Sequence, residues 1–181
     1  LAGDVRPDKV LGLLAIEPNG PPFFNVAYGG HTQSHLKNSK TDTKREGDKS
    51  WYITASKPDR PGGITYLPMT FDPSLKENES LTSSLDPEMT EDNLVQCYLQ
   101  KEPARQLVNL KKVSIVIVSA EASYHSPYDH GTSNFLKQAG VNHEFIRLQD
   151  KNIRGNGHMM MLEKNNHEIA DVLIDWAKSK I

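Results

Sequence analysis

Val113-Ser-Ile-Val-Ile-Val-Ser119, followed by a helical stretch from His130 to Ala139 that Gly140 stops and then by Glu144-Phe-Ile-Arg-Leu148, decides the fold class. The first segment is dominated by β-branched residues and reads as a strand, and the third reads as a second strand. Strand, helix, strand in this order calls for a right-handed crossover and parallel pairing. Toward the C-terminus, a loop from Gln149 to Gly157 leads to His158. A closing helix then places Ile169, Val172, Leu173, Ile174 and Trp176 on one face at the 3.6-residue period. Toward the N-terminus, Val10-Leu-Gly-Leu-Leu-Ala-Ile16 is a continuous apolar run, expected as a buried strand of the same parallel sheet. Pro7 disfavours helix at Arg6, so the residues before this run read as the tail of an incoming helix. The expectation is an α/β chain with a mainly parallel sheet flanked by helices.

The middle of the chain is different. His31 to Arg60 holds seven Lys/Arg and four Asp/Glu with few apolar residues. A connection this long inside a compact domain tends to be a lid or binding loop, so 31–68 is expected to form an excursion of that kind. Ile64 to Phe71 suggests a short strand, Asp72 to Leu85 a polar connection. Asp86-Pro-Glu-Met-Thr90 suggests a helix start continuing through Leu94, Val95, Tyr98 and Leu99.

Composition narrows the functional classes. The 181 residues include 21 Lys/Arg and 23 Asp/Glu, a formal net charge of −2, so no basic excess points to nucleic acid or an anionic membrane. The longest apolar run is far shorter than the roughly 20 residues a spanning helix needs. Cys97 is the single cysteine, which excludes an intrachain disulfide framework and a multi-thiolate zinc site. No cofactor is implied. The chain begins at Leu1 without a Met or a signal-peptide pattern, which suggests a processed or truncated start. Asn78-Glu-Ser80 fits a glycosylation sequon, and together these features lean toward a secreted protein.

In parallel sheets, ligands bind outside the carboxyl ends of the strands. Three loops leave such ends: Glu17 to Pro22, Ala120 to His130, and Gln149 to His158. The last carries Arg154-Gly-Asn-Gly-His158 ahead of Met159-Met-Met161, a His that can be held in one tautomer while facing a cleft.

Ile16-Glu-Pro-Asn-Gly-Pro-Pro-Phe23, Glu121-Ala-Ser-Tyr-His-Ser-Pro-Tyr-Asp129 and Gly155-Asn-Gly-His-Met-Met-Met-Leu-Glu163 together resemble a subgroup of α/β-hydrolase esterases whose triad acid is a Glu just after the sixth strand. By that resemblance His158 is the triad base and Glu17 the acid, within the C-terminal half (1–181) of one α/β-hydrolase domain. In most α/β-hydrolases the acid follows the next core strand, where this chain has Ser123. Since a serine cannot stabilise an imidazolium as a carboxylate does, the acid must come from elsewhere, with Glu121 and Asp129 as fallbacks. No G-x-S-x-G occurs. Gly30-His-Thr-Gln-Ser34 puts Thr32 at the nucleophile place but lacks the last glycine and the strand-to-helix setting. The resemblance therefore implies a nucleophile on a segment upstream of Leu1. The expected partners are that N-terminal half and a small-molecule ester.

Blander readings accompany each residue. His158 alone could be a structural or surface His, and Glu17 a solvated loop carboxylate. Tyr124, His125 and Asp129 could line the pocket, pack or cap a helix. His31 and His35 at i, i+4 lack a placed third metal ligand, so no metal is expected. The competing functional class is a catalytically silent, hydrolase-like subunit that binds a small molecule or a protein partner.

Overall fold

A computed structural model describes residues 1–20, 22–28, 51–55, 63–87, 94 and 97–181. Its organising element is β6 (Ser114–Ser119) of a three-stranded parallel sheet, ordered with β1 (Gly12–Ile16) on one side and β7 (Glu144–Arg147) on the other. Register is continuous, from Gly12 opposite Ser114 to Ile16 opposite Val118, and from Val116 opposite Glu144 to Ser119 opposite Arg147. Side chains alternate across a strand, and β6 uses both faces. Ile115 and Ile117 join a cluster with Phe135 and Leu136 of α2 (Asp129–Gln138). Val116 and Val118 join another with Ile169 and Trp176 of α3 (Asn166–Lys180). Helices thus cover opposite faces of a parallel sheet. Full burial of a Val or Ile side chain is worth about 1.5–3 kcal/mol, so β6, with every residue after Ser114 buried, anchors the fold.

The helix expected at His130–Ala139 is α2, and Gly140 ends it in the left-handed region (φ 73). The Val141 N–H donates back to the Leu136 carbonyl at 2.9 Å, the long-reach bond typical of such helix ends. The helical tail before β1 is the single turn α1 (Ala2–Val5), and the loop expected after β7 contains a short 3-10 turn, Leu148–Lys151.

Three expectations need correction. β1 is not buried throughout: Leu14 and Ile16, two residues apart and so on one face of the strand, are exposed and lie outside the cluster that α3 forms with Val116 and Val118. Ile64 to Phe71 holds a 3-10 turn, Gly63–Tyr66, in place of a strand. Of the helix expected from Asp86 through Leu99, 88–93, 95 and 96 lie outside the described residues, and Tyr98 and Leu99 belong instead to β5 (Tyr98–Gln100), antiparallel to β4 (Ser83–Leu85) within the stretch read as a polar connection. A side chain explains β5: the Gln138 amide accepts the Gln100 N–H and donates to the Gln100 carbonyl, both at 2.9 Å, standing in for a neighbouring strand.

Phe24–Tyr28 and Trp51–Ala55 form an antiparallel backbone pair, β2 and β3. Most of the excursion expected over 31–68, with His31, Thr32 and His35, lies outside the described residues.

Candidate active site

The chain leaves β1 at Glu17 with φ 45, a left-handed conformation that costs a non-glycine residue roughly 1 kcal/mol or more. The Glu17 N–H still donates to the Val118 carbonyl at 2.9 Å, continuing the β1–β6 ladder one residue further. The turn delivers the carboxylate to the mouth of β6. There the Ala120 N–H donates to Oε1 at 3.0 Å and the Ser123 hydroxyl to Oε2 at 2.8 Å. His158 Nδ1 lies 2.6 Å from the same Oε2. A carboxylate can only accept, so Nδ1 carries a proton and Nε2 is the ring nitrogen turned away from Glu17. The Glu17 side chain is 1% exposed and that of His158 37%. The pair therefore has a dry inner end and an open outer one. Hydrogen bonds to an ionised group contribute about 1.5–3 kcal/mol each, and Glu17 receives three.

The loop carrying His158 is held from two sides. Glu121 takes the Arg154 guanidinium at 2.8 Å and the Gly155 N–H at 3.0 Å, so this fallback acid serves as an anchor for the loop. Gly155 sits at φ 77, where a side chain is disfavoured. Asn156 is buried. Its amide donates to Glu163 at 2.5 Å and to Asn165 at 2.7 Å and accepts from Asn165 at 3.0 Å. Its carbonyl accepts the Ala122 N–H at 2.9 Å, and Glu163 takes the Gly157 N–H at 2.7 Å, which fixes the residue before His158.

The other fallback acid, Asp129, turns to a different histidine. His125 Nδ1 lies 3.1 Å from Asp129 Oδ1, both side chains being buried. Burial pushes the Asp129 carboxyl above the usual aspartate range, opposed by the His125 hydrogen bond and reinforced by the nearby Glu17 charge. The His125 ring stacks on the His158 ring, centroids 4.7 Å apart and planes within 3°. Tyr124 leans on both rings, at 4.4 Å and 4.9 Å. Burial, with the Glu17 and Asp129 charges, raises the Tyr124 hydroxyl above its ordinary range.

Glu17, His125 and His158 bring one potential ligand atom each within 4.8 Å of one another. The donor chemistry does not suit a metal ion. Lone pairs lie in the imidazole planes, so two parallel stacked rings do not converge on a common point about 2.0–2.1 Å from each nitrogen. Both Glu17 oxygens are, moreover, already taken by hydrogen-bond donors.

Beside the site, an apolar cavity of about 600 Å³ is lined by Leu13, Ala15, Ile115, Ile117 and Leu136 and reaches Pro18 to Gly20, the residues following Glu17. Asn78 is exposed in a turn closed by the Glu79 N–H and the Lys76 carbonyl. Sequence reasoning missed the donor role of Ser123 and the Asn156 clamp, and it named His125 as a pocket-lining or packing residue without its stacking on His158. The i, i+4 spacing of His125 and Asp129 was the one available signal for the last.

Parallel strands carrying a buried carboxylate and a half-open histidine at their carboxyl ends define an α/β arrangement suited to proton transfer. The chain is similar to "Probable secreted lipase phiG" of Fungal sp. (strain ATCC 74256), with 38% identity over 179 residues. The match covers 98% of this chain and 42% of the relative's length. No protein-family model matches the chain, and no solved structure does.

Proposed function

We propose that this chain supplies the base and the acid of a serine hydrolase acting on carboxylic esters. The observation that carries the reading is the 2.6 Å contact between His158 Nδ1 and the buried Glu17, two residues 141 positions apart. His158 Nε2 takes the proton of a serine hydroxyl as that oxygen attacks the ester carbonyl, then passes it to the leaving alkoxide. Glu17 holds the ring in the required tautomer and stabilises the imidazolium. The nucleophile comes from a segment outside these residues, which extends the sheet from the open edge of β1. The chain then forms the C-terminal half of an α/β-hydrolase domain, with 31–68 as its cap. The lipase name of the relative supports ester chemistry, and the word "secreted" in it supports export.

The test is His158→Ala in the full-length protein, assayed on an activated ester. A loss of about three orders of magnitude or more in kcat is expected. Turnover at the wild-type rate would remove His158 from the mechanism.

A further inference from the structure

Beneath the Glu17–His158 pair lies a second histidine–carboxylate pair that the proposed chemistry does not use. His125 is 3% exposed and Asp129 is fully buried. Two imidazoles within 3° of parallel at 4.7 Å, one of them half-open at the site, form an ordered stack. Three contacts fix the lower ring: Asp129 holds Nδ1 at 3.1 Å, and the Tyr124 and Tyr128 rings lie against it with centroids at 4.4 Å and 5.0 Å. The His125 backbone N–H donates to the Ser123 hydroxyl at 3.1 Å. That hydroxyl in turn donates to Glu17 Oε2. A single serine oxygen therefore ties the backbone of His125 to the carboxylate that holds His158.

We propose that His125 is a positioning residue for His158: its ring, oriented by Asp129, is the shelf against which the His158 ring keeps the plane that aims Nε2 outward. A histidine held only through Nδ1 can still swing about that bond, and the stack removes this freedom. His125 acts through the ring it supports, so its effect falls on the rate of the chemical step rather than on substrate binding. The inference rests on the hydrolase reading for its kinetic consequence and on geometry alone for the stack.

The experiment uses the full-length protein and two readouts. In His125→Ala, kcat on an activated ester is expected to fall about ten- to a hundred-fold with KM unchanged, the scale of a misplaced catalytic group. The His158 Cε1–H resonance should lose its upfield ring-current displacement and broaden. His125→Phe keeps an aromatic shelf and should restore both most of the rate and the displacement. Asp129→Ala should reproduce the alanine phenotype in weaker form. Wild-type kcat together with an unmoved His158 resonance in His125→Ala would overturn the proposal. If the full-length protein shows no ester hydrolysis, the hydrolase reading fails, while the resonance still decides whether the shelf exists.

Discussion

The two histidine–carboxylate pairs use the same chemistry to opposite ends. His125 and Asp129 are four residues apart, one in the turn that leads into α2 and the other its first residue, both buried, and one turn of chain makes their meeting almost automatic. Glu17 and His158 are brought together only by the completed β1–β6–β7 register, and one of them opens to solvent. The carboxylates differ as well. Glu17 accepts from three donors, with both oxygens engaged, whereas Asp129 leaves Oδ2 buried without a hydrogen bond of ordinary length, eased by the neighbouring Ser119 hydroxyl. The better-supplied carboxylate suits a fixed charge, and the undersupplied one suits a partner that only orients a ring.

Substitutions that preserve shape while removing charge sharpen this contrast most. Glu17→Gln is expected to cost about 10³–10⁴-fold in kcat, the scale of losing a triad carboxylate, while Asp129→Asn costs less than about tenfold because the amide oxygen still accepts from His125. Equal losses in the two variants would erase the distinction. Asn156→Ala leaves Glu163 and Asn165 without their buried partner and should lower unfolding stability by about 1–3 kcal/mol in denaturant titration. Ser123→Ala, which removes a donor from Glu17 and the acceptor of the His125 N–H, should cost about 2 kcal/mol by the same measurement.

The pH dependence of stability separates the pairs again. A carboxyl raised by burial binds its proton more tightly folded than unfolded, so its contribution is complete below the ordinary aspartate range and is lost as pH rises through the folded value. Melting temperatures of the wild type should therefore fall, relative to those of Asp129→Asn, as pH rises above that range. A constant difference at all pH values would show that Asp129 folds unprotonated at no cost. The smallest effect expected is that of Gly155→Ala, about 1 kcal/mol of strain at φ 77, visible as a lower melting temperature.

What could be read from the chain follows the range of the interactions involved. β6, α2, β7 and α3 were legible because their periodicity is local and strong. His158 was legible from its loop, and Glu17 from the missing carboxylate at Ser123 together with a family resemblance. The exposure of Leu14 and Ile16 was not legible, since an apolar run reports affinity for a sheet and says nothing about how far a helix covers each of its faces. β5 was misread because apolar residues at helical spacing were given more weight than a partner strand and a Gln138 amide arriving from 38 residues away. The stack of His125 on His158 depends on two loops converging, which no single stretch of sequence encodes.

Where the β1 and β6 exits meet, Oε2 of Glu17 and Oγ of Ser123 lie 2.8 Å apart although their residues are 106 positions apart in the chain. The oxygen that receives the His158 proton donor therefore belongs to two strand exits at once, and a change at either exit is felt at the same imidazole.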